Sequence, residues 1–209
     1  MPEGIDETVN KNPLTPLYNK PNMRQLTGKK VAVLATNGFE QSELVTPVNR
    51  LIEEGAEVHI VSPEEGEIRG WHDGNWAMDP IKVTMKVEKA NPAEYTGLVL
   101  PGGVMNPDNL RRDRKSVEFV RGFFELGKPV SAICHAPWTL IEAGVVDGRK
   151  MTSFSSIRTD LVNAGANWVD EEVVVDAGLV TSRHPGDLDA FTSKMVEELI
   201  EGVHAEQTT

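Results

Sequence analysis

Short, continuous apolar runs recur along this chain, with amphipathic helical patterns between most of them. The runs occupy residues 31–35, 58–61, 98–100 and 130–133. Runs of this length are typical of strands that are buried on both faces of a parallel sheet. Because parallel neighbours must be joined by a crossover, usually a helix, the pattern predicts a three-layer α/β/α sandwich around a mostly parallel sheet.

The helical stretches complete this architecture. Residues 41–54 place apolar side chains at helical spacing, and Gly55 is suited to end that helix. The same reasoning predicts further helices at residues 117–126, 136–143, 157–164 and 187–201. A short strand is predicted at residues 151–156, a hairpin with arms at residues 173–176 and 179–182 around Ala177-Gly178, and a half-exposed strand or hairpin within the insert at residues 64–87.

The chain is predicted to form one domain. Residues 29–202 contain all of these elements, without an internal repeat or linker. Residues 1–28 are polar, rich in Pro and Asn, and lack periodicity, which is typical of a flexible extension. Residues 203–209 form a C-terminal tail in this interpretation.

Composition argues against several classes of function. The formal charge of −11 leaves no excess of Lys or Arg to neutralise phosphates, so a general nucleic-acid binder is not expected. No apolar run approaches the roughly 20 residues that cross a bilayer, and the N-terminus lacks the apolar stretch of a secretory signal. The single cysteine excludes an intramolecular disulfide and favours a reducing compartment. A cytoplasmic protein without membrane contact is therefore predicted.

That cysteine, Cys134, stands where the strand at residues 130–133 gives way to the helix at residues 136–143. A thiol beside a helix N-terminus is favoured as the thiolate, and the adjacent His135 is a candidate base or proton donor. From this pattern alone, a small buried cysteine that only packs is the alternative.

Four loops are expected to surround Cys134, because ligands bind at the carboxyl ends of the strands in open α/β sheets. The loops span residues 36–43, 101–108, 134–137 and 182–187. Candidate partners of the thiol on these loops are Glu40, Glu43, Gly102, Gly103, His135, Arg183 and His184. A protonated carboxyl group can donate a hydrogen bond to a thiolate, although either glutamate can instead simply stabilise a helix N-terminus.

Two residues of the insert, Trp71 and His72, are candidates to shape a substrate pocket. Aromatic residues in such inserts more often belong to an interface or cover a core, and that alternative is favoured. No metal is expected at the thiol, since the adjacent Cys134 and His135 fit poorly into tetrahedral coordination with His184.

Several segments together resemble the PfpI family. They are GFEQSEL at residues 38–44, LVLPGG at 98–103, SAICHAP at 131–137, VNAGANWVD at 162–170 and VVVDAGLVTSRHPGDL at 173–188. This family is the intracellular-protease branch of the superfamily that contains the Parkinsonism-associated protein deglycase, and it is related to class I glutamine amidotransferases. The resemblance runs from about residue 29 to about residue 200 and implies a flavodoxin-like sandwich with a strained nucleophile elbow at the cysteine.

The resemblance also assigns roles around the thiol. It implies that Cys134 is the reactive residue and that Glu43 hydrogen-bonds its sulfur, with Glu40 in the neighbouring place. The backbone donors that it implies are those of Gly102, Gly103 and His135.

A further implied feature is assembly into a dimer or hexamer. In oligomers of this family an acidic residue from an adjacent subunit completes a Cys-His-acid arrangement. Asp108 is the best match for that residue, despite an apparent one-residue insertion in VMNPD. Ala136 stands where many members have glycine, which could narrow the site.

A thiolate, an imidazole and an anion-stabilising turn suit attack on a carbonyl carbon. With the resemblance, the first prediction is cofactor-free conversion of dicarbonyls such as methylglyoxal, or removal of early glycation adducts from proteins. Intracellular peptide hydrolysis is the second, and glutamine amidotransfer is disfavoured because His184 stands in SRHPGD at residues 182–187 rather than in an H-x-E motif. The alternative outside enzymes is an oxidation-sensing stress protein or chaperone, whose sulfinic acid Glu43 would hold. The predicted partners are small carbonyl compounds, peptides or glycated proteins, with no cofactor.

Overall fold

The computed structural model describes residues 24–207 of the 209-residue chain. The helices of this part are α1 (Gln41–Glu53), α2 (Met105–Leu110), α3 (Arg114–Glu125), α4 (Pro137–Glu142), α5 (Arg158–Asn163) and α6 (Leu188–Glu201). Its strands are β1 (Lys30–Leu34), β2 (Glu57–Ser62), β3 (Glu67–Ile68), β4 (Trp71–His72), β5 (Asn75–Trp76), β6 (Ile81–Lys82), β7 (Met85–Lys86), β8 (Gly97–Leu100), β9 (Val130–Ile133), β10 (Lys150–Met151), β11 (Asn167–Trp168), β12 (Val173–Asp176) and β13 (Leu179–Ser182).

Seven of these strands form the central sheet, in the order β12-β13-β9-β8-β1-β2-β7. All neighbours are parallel except β12 and β13, which form an antiparallel hairpin. The predicted mostly parallel sheet is therefore confirmed. The strand that delivers Cys134, β9, lies inside the sheet between β8 and β13.

The sheet separates two hydrophobic cores. Along β1, Val31 and Val33 point into the core that α1 and α6 cover, whereas Ala32 and Leu34 point into the core on the opposite face. The residues of α3 and α4 pack into that second core. Because both faces are covered, every position of such a strand is apolar, which explains the continuous apolar runs in the sequence.

Three parts of the chain differ from the prediction. The strand predicted at residues 151–156 stops at Met151, because Phe154 turns away to donate its N–H to the Cys134 carbonyl at 2.9 Å. The insert divides into a β4–β5 hairpin, a β3–β6 pair and the edge strand β7. The short helix α2 was not predicted, since its sequence, MNPDNL, contains a proline and lacks a clear apolar period.

The folded part extends beyond the predicted boundaries at both ends. Residues 1–23 of the predicted extension lie outside the described residues. Residues 24–28 were assigned to that extension, but they form a turn in which Leu26 is fully buried and donates its N–H to the Glu54 carbonyl at 2.9 Å. In the predicted tail, His204 donates its N–H to the Gly127 carbonyl at 2.7 Å, and Gln207 is buried.

Among the helices in residues 24–207, none combines the length and the apolar character that crossing a membrane requires.

Candidate active site

Cys134 occupies the tight turn between β9 and α4. Its φ angle is +65°, in a region that residues other than glycine seldom adopt. The N–H of Cys134 donates to the Ser182 carbonyl at 3.0 Å, and its carbonyl accepts the Phe154 N–H. These bonds hold the strained backbone in place, as at a nucleophile elbow.

The loop after β8 packs directly against this turn and against α1. Glu43, on the first turn of α1, is fully buried, and its Oε2 accepts the Gly102 N–H at 2.9 Å. Its carboxyl group lies beside the Cys134 side chain, on the other side of Gly102. A Cβ placed on Gly102 would lie 2.5 Å from Glu43 Oε2 and 2.6 Å from Cys134 Cβ, so only glycine fits between the two.

The three predicted backbone donors do not act alike. The Gly102 N–H donates to Glu43 Oε2. The N–H groups of Gly103 and His135 act on the Cys134 sulfur in the direction that lowers its pKa. These two donors stabilise negative charge on the sulfur, or on an oxygen bound next to it.

Burial dominates the electrostatics of the Cys134–Glu43 pair. It raises the pKa of Glu43 to about 8; the hydrogen bond with Cys134 opposes this shift, and the charge of Glu40 adds to it. Burial also raises the pKa of the Cys134 thiol, and the charge on an ionised Glu43 raises it further. The direction for the thiol is opposite to the sequence prediction, because burial of the sulfur outweighs the effect of the α4 N-terminus.

Because both pKa values are raised, the resting pair carries no charge below about pH 8. Below about pH 8, Glu43 holds its proton and its carboxyl O–H can donate to the sulfur. In that state no carboxylate charge opposes a thiolate at Cys134, and the N–H groups of Gly103 and His135 stabilise it. This position suits Glu43 to act as a buried proton donor to the sulfur.

His135 lies beside the sulfur and is fixed by two contacts of its ring. Its Nδ1 is 3.1 Å from Cys134 Sγ, and its Nε2 is 3.0 Å from Ser156 Oγ. The ring stacks on Phe154, with centroids 4.8 Å apart. Burial lowers the pKa of His135, so the neutral imidazole is the form that exchanges a proton with the sulfur.

Comparison with known proteins assigns the chain to a family. The model of the DJ-1/PfpI family matches residues 29–198. The chain belongs to the DJ-1/PfpI family. Its relatives include Deglycase PfpI of Pyrococcus furiosus, which is 48% identical over 170 residues, or 81% of this chain and 99% of that protein.

Two further comparisons agree with this membership. General stress protein 18 of Bacillus subtilis is 42% identical over 165 residues, or 78% of this chain and 94% of that protein. The crystal structure of Drosophila melanogaster DJ-1beta matches with a TM-score of 0.75 at 28% identity, covering 82% of this chain and 90% of that one. The fold predicted from the resemblance is thereby confirmed.

Two positioning residues of this DJ-1/PfpI site were missed by the sequence reasoning. Asn106 is fully buried: its Oδ1 accepts the Thr36 N–H at 2.7 Å and its Nδ2 donates to the Pro101 carbonyl at 2.8 Å. It thereby ties the loop after β1 to the loop after β8. Ser156 contacts His135 Nε2 through its hydroxyl group and is the second residue of a Ser-Ser pair that matches no motif. Neither residue carries a local sequence signal.

Glu40, Trp71 and His72 lie together at the edge of the site. Trp71 pairs with Glu40 in a β-bridge, and the Trp71 N–H donates to the Phe39 carbonyl at 2.7 Å. His72 Nδ1 lies 3.9 Å from Glu40 Oε1, and its side chain is largely exposed. Trp71 also makes an edge-on contact with Trp76. The insert therefore packs against residues 39–40, which lead into α1 and so into Glu43.

The two predicted pocket residues after β13 are bound to other groups. The Arg183 guanidinium forms ion pairs with Asp170 at 2.8 Å and with Asp187 at 2.9 Å, and the hydrogen bonds with Asp187 and Asp170 raise its pKa. His184 Nδ1 accepts the Gly186 N–H at 3.1 Å. Within residues 24–207, neither side chain has a hydrogen bond or ion pair with Cys134 or Glu43.

Asp108 lies on α2 and is held by Arg111, whose Nη2 is 2.6 Å from Asp108 Oδ1. The Arg111 guanidinium lies 4.7 Å above the Trp138 ring, and that ring contacts His135 edge-on. In the part of the chain that the structure describes, no hydrogen bond or ion pair joins Asp108 to Cys134 or His135. Completion of a neighbouring subunit's site by Asp108 stays a prediction.

The tight fit at Gly102 gives a first test of the site. Gly102→Ala is expected to lower carbonyl turnover by about 100-fold and to destabilise the fold by about 1–3 kcal/mol, because the new Cβ must displace Glu43 or Cys134. Gly186→Ala is the control, since its Cβ meets only the exposed His184 ring at 3.0 Å. Steady-state kinetics and chemical unfolding measure both effects. Wild-type turnover in Gly102→Ala would show that this contact does not position the thiol.

Proposed function

We propose that this protein is a cysteine-dependent enzyme that converts small dicarbonyl compounds, such as methylglyoxal, and removes their early adducts from proteins. The observation that carries the proposal is the buried Cys134–Glu43 pair, in which a carboxyl proton and two backbone N–H groups face one sulfur atom. The relative from Pyrococcus furiosus bears the name deglycase, which supports the same substrate class.

The geometry supports a sequence of steps without an added cofactor. The Cys134 thiolate adds to the aldehyde carbon of methylglyoxal and forms a hemithioacetal, whose oxyanion accepts hydrogen bonds from Gly103 and His135. A base then removes the hydrogen of that carbon as a proton, and the electron pair moves to the ketone to give an enediol. His135 is the candidate base, since its Nδ1 lies 3.1 Å from the sulfur.

The remaining steps return the enzyme to its starting state. Protonation of the second carbon gives a lactoyl thioester on Cys134, and water cleaves the thioester to lactate and the free thiol. One carbon is oxidised as its neighbour is reduced, so methylglyoxal and water account for all atoms and electrons of lactate. No external oxidant or reductant takes part.

The burial of the thiol favours small substrates. Only 6% of the Cys134 surface is exposed, so an aldehyde or a slender adduct reaches the sulfur more easily than a folded protein chain does. The proposal therefore ranks dicarbonyl chemistry above peptide hydrolysis. A homo-oligomer, dimer or hexamer, and a cytoplasmic location belong to the same proposal. A role in stress fits the name of the relative from Bacillus subtilis.

The test measures methylglyoxal consumption and lactate formation together, without glutathione or amine buffers that react with the aldehyde. Because Cys134 is the only cysteine, iodoacetamide modifies one thiol in the chain. We expect lactate to form in equal amount to the methylglyoxal lost, and formation to stop after alkylation. Lactate formation that survives complete alkylation would contradict the proposal. No turnover, with Cys134 readily oxidised, would favour the oxidation-sensing protein instead.

A further inference from the structure

A second group of ligating side chains lies near the amino-terminal ends of the central strands, whereas Cys134 follows the carboxyl end of β9. The C-terminal end of α6 reaches this region, where Lys29, just before β1, donates to the Leu199 carbonyl. Here Glu198, Glu201 and His204 each offer one ligand atom, and these atoms lie within 4.8 Å of one another. The two glutamates share a face of α6 because they are three residues apart.

The backbone brings His204 back to the two glutamates. α6 ends at Gly202, whose φ is +90°, and the chain then reverses direction. The His204 N–H donates to the Gly127 carbonyl at 2.7 Å, which fixes the residue beside the helix end. The chain reversal at Gly202 and the bond to Gly127 therefore together fix His204 beside the two glutamates.

The contact between His204 and Glu198 lacks the geometry of a hydrogen bond. His204 Nε2 lies 3.1 Å from Glu198 Oε2, but the buried Nε2 has no hydrogen-bond partner. Two ligands of one tetrahedral ion with bonds of about 2.0–2.2 Å are separated by about 3.3–3.6 Å. The observed pair is slightly closer than that, so a small separation of the two side chains would let them bind one ion. Glu198 is 6% exposed, so it is otherwise a buried carboxyl group.

Gln207 supplies an independent observation at the same place. It is 4% exposed, and both atoms of its side-chain amide are buried without a partner. A Cβ placed on Gly178 would lie 2.5 Å from Gln207 Oε1 and 2.7 Å from His204 Cδ2. Gln207 Oε1 and His204 Cδ2, the ring carbon bonded to Nε2, thus lie on either side of the same point above Gly178. Orphaned buried amides are rare, and an amide oxygen is an accepted ligand of divalent ions.

The charge around the cluster also favours a cation. The buried Glu198 carboxyl group lies near the carboxylates of Glu201 and Glu197 as well as near His204. Lys194 is a further positive group that acts on Glu198. A divalent ion would offset the repulsion among the carboxylates and provide a partner for the orphaned atoms.

We propose that Glu198, Glu201 and His204, joined by the Gln207 amide oxygen, bind a divalent ion that accepts imidazole and carboxylate ligands, represented by Zn²⁺. The ion links α6 to the turns at Gly127 and Gly178 and so stabilises the C-terminal residues. This site is separate from the Cys134 chemistry and does not depend on the proposed function.

The test uses full-length, tag-free Cys134→Ser protein, so that the reactive thiol cannot bind the metal. Zn²⁺ is titrated in competition with a chromophoric chelator, and thermal unfolding is recorded with and without Zn²⁺. We expect one ion per chain and a higher unfolding midpoint. Glu201→Gln, at an exposed position, and His204→Gln should each weaken binding by at least about tenfold. Glu197→Gln, an exposed neighbour outside the cluster, should bind as the parent does.

A Co²⁺ absorption spectrum provides a second readout, and its bands should change in His204→Gln but not in Glu197→Gln. Equal affinity in Glu201→Gln and Glu197→Gln, or no saturable binding in the parent, would overturn the proposal. Equal stabilisation by Ca²⁺ that persists in His204→Gln would also overturn it, because a site of carboxylates alone would then account for the result.

Discussion

Cys134→Ser is expected to lose lactate formation from methylglyoxal by at least about 1,000-fold. A serine hydroxyl ionises far less readily than a thiol, and the site offers only weak help in removing its proton. The neutral imidazole of His135 removes a proton from a thiol more readily than from the far less acidic hydroxyl, and Glu43 holds its own proton below about pH 8. The variant should still bind the aldehyde but should not form the covalent intermediate.

The controls separate loss of chemistry from loss of structure. Serine has no branch at Cβ, so it should tolerate the φ of +65° as cysteine does, and the unfolding midpoint should change by only a few degrees. Ser156→Ala keeps the thiol but removes the partner of His135 Nε2, and should retain most of the turnover. If Cys134→Ser keeps more than a tenth of wild-type activity, the carbonyl chemistry does not proceed through the sulfur.

The fold was predictable because its central strands are buried on both faces. The strand predicted at residues 130–133 and both arms of the hairpin at 173–182 match the structure residue for residue. In these segments local apolar pattern and tertiary burial favour the same conformation. The prediction failed for α2 and for residues 152–156, where contacts with distant loops decide the backbone path and no period is visible in the sequence.

The candidate site was predictable only in part, because only some of its residues follow from local sequence patterns. The strand–turn–helix order located Cys134, and the position of the first helix located Glu43, because both follow from local patterns. Asn106 and Ser156 could not be found in this way, since each acts through hydrogen bonds to residues that are distant in sequence or lack a motif.

The direction of the thiol pKa also required the structure. A helix N-terminus beside Cys134 is visible in the sequence, but the burial of the sulfur against another acid is not.

Glu43→Gln is expected to make the protein more stable than the wild type at pH 8, on the order of a few kcal/mol. In the folded wild type the pKa of Glu43 is raised from 4.5 to about 8 by burial. The folded state therefore keeps a proton that the unfolded state releases above pH 4.5. Its contribution to stability is complete below pH 4.5 and is lost as the pH rises towards 8. Glutamine does not titrate, so the variant lacks this decline.

Chemical unfolding of both proteins at pH 5, 6, 7 and 8 measures the difference, which should grow with pH across that range. Glu53→Gln replaces an exposed carboxylate on the same helix and should follow the wild-type curve.

Iodoacetamide labelling adds a functional readout: glutamine keeps an N–H donor for the sulfur but cannot ionise, so labelling of Cys134 should be preserved and should reach its plateau at lower pH. Glu43→Ala, which lacks the donor, should label more slowly at low pH. Parallel stability curves for wild type and Glu43→Gln would mean that Glu43 is already ionised in the folded protein across this pH range, which would contradict its raised pKa.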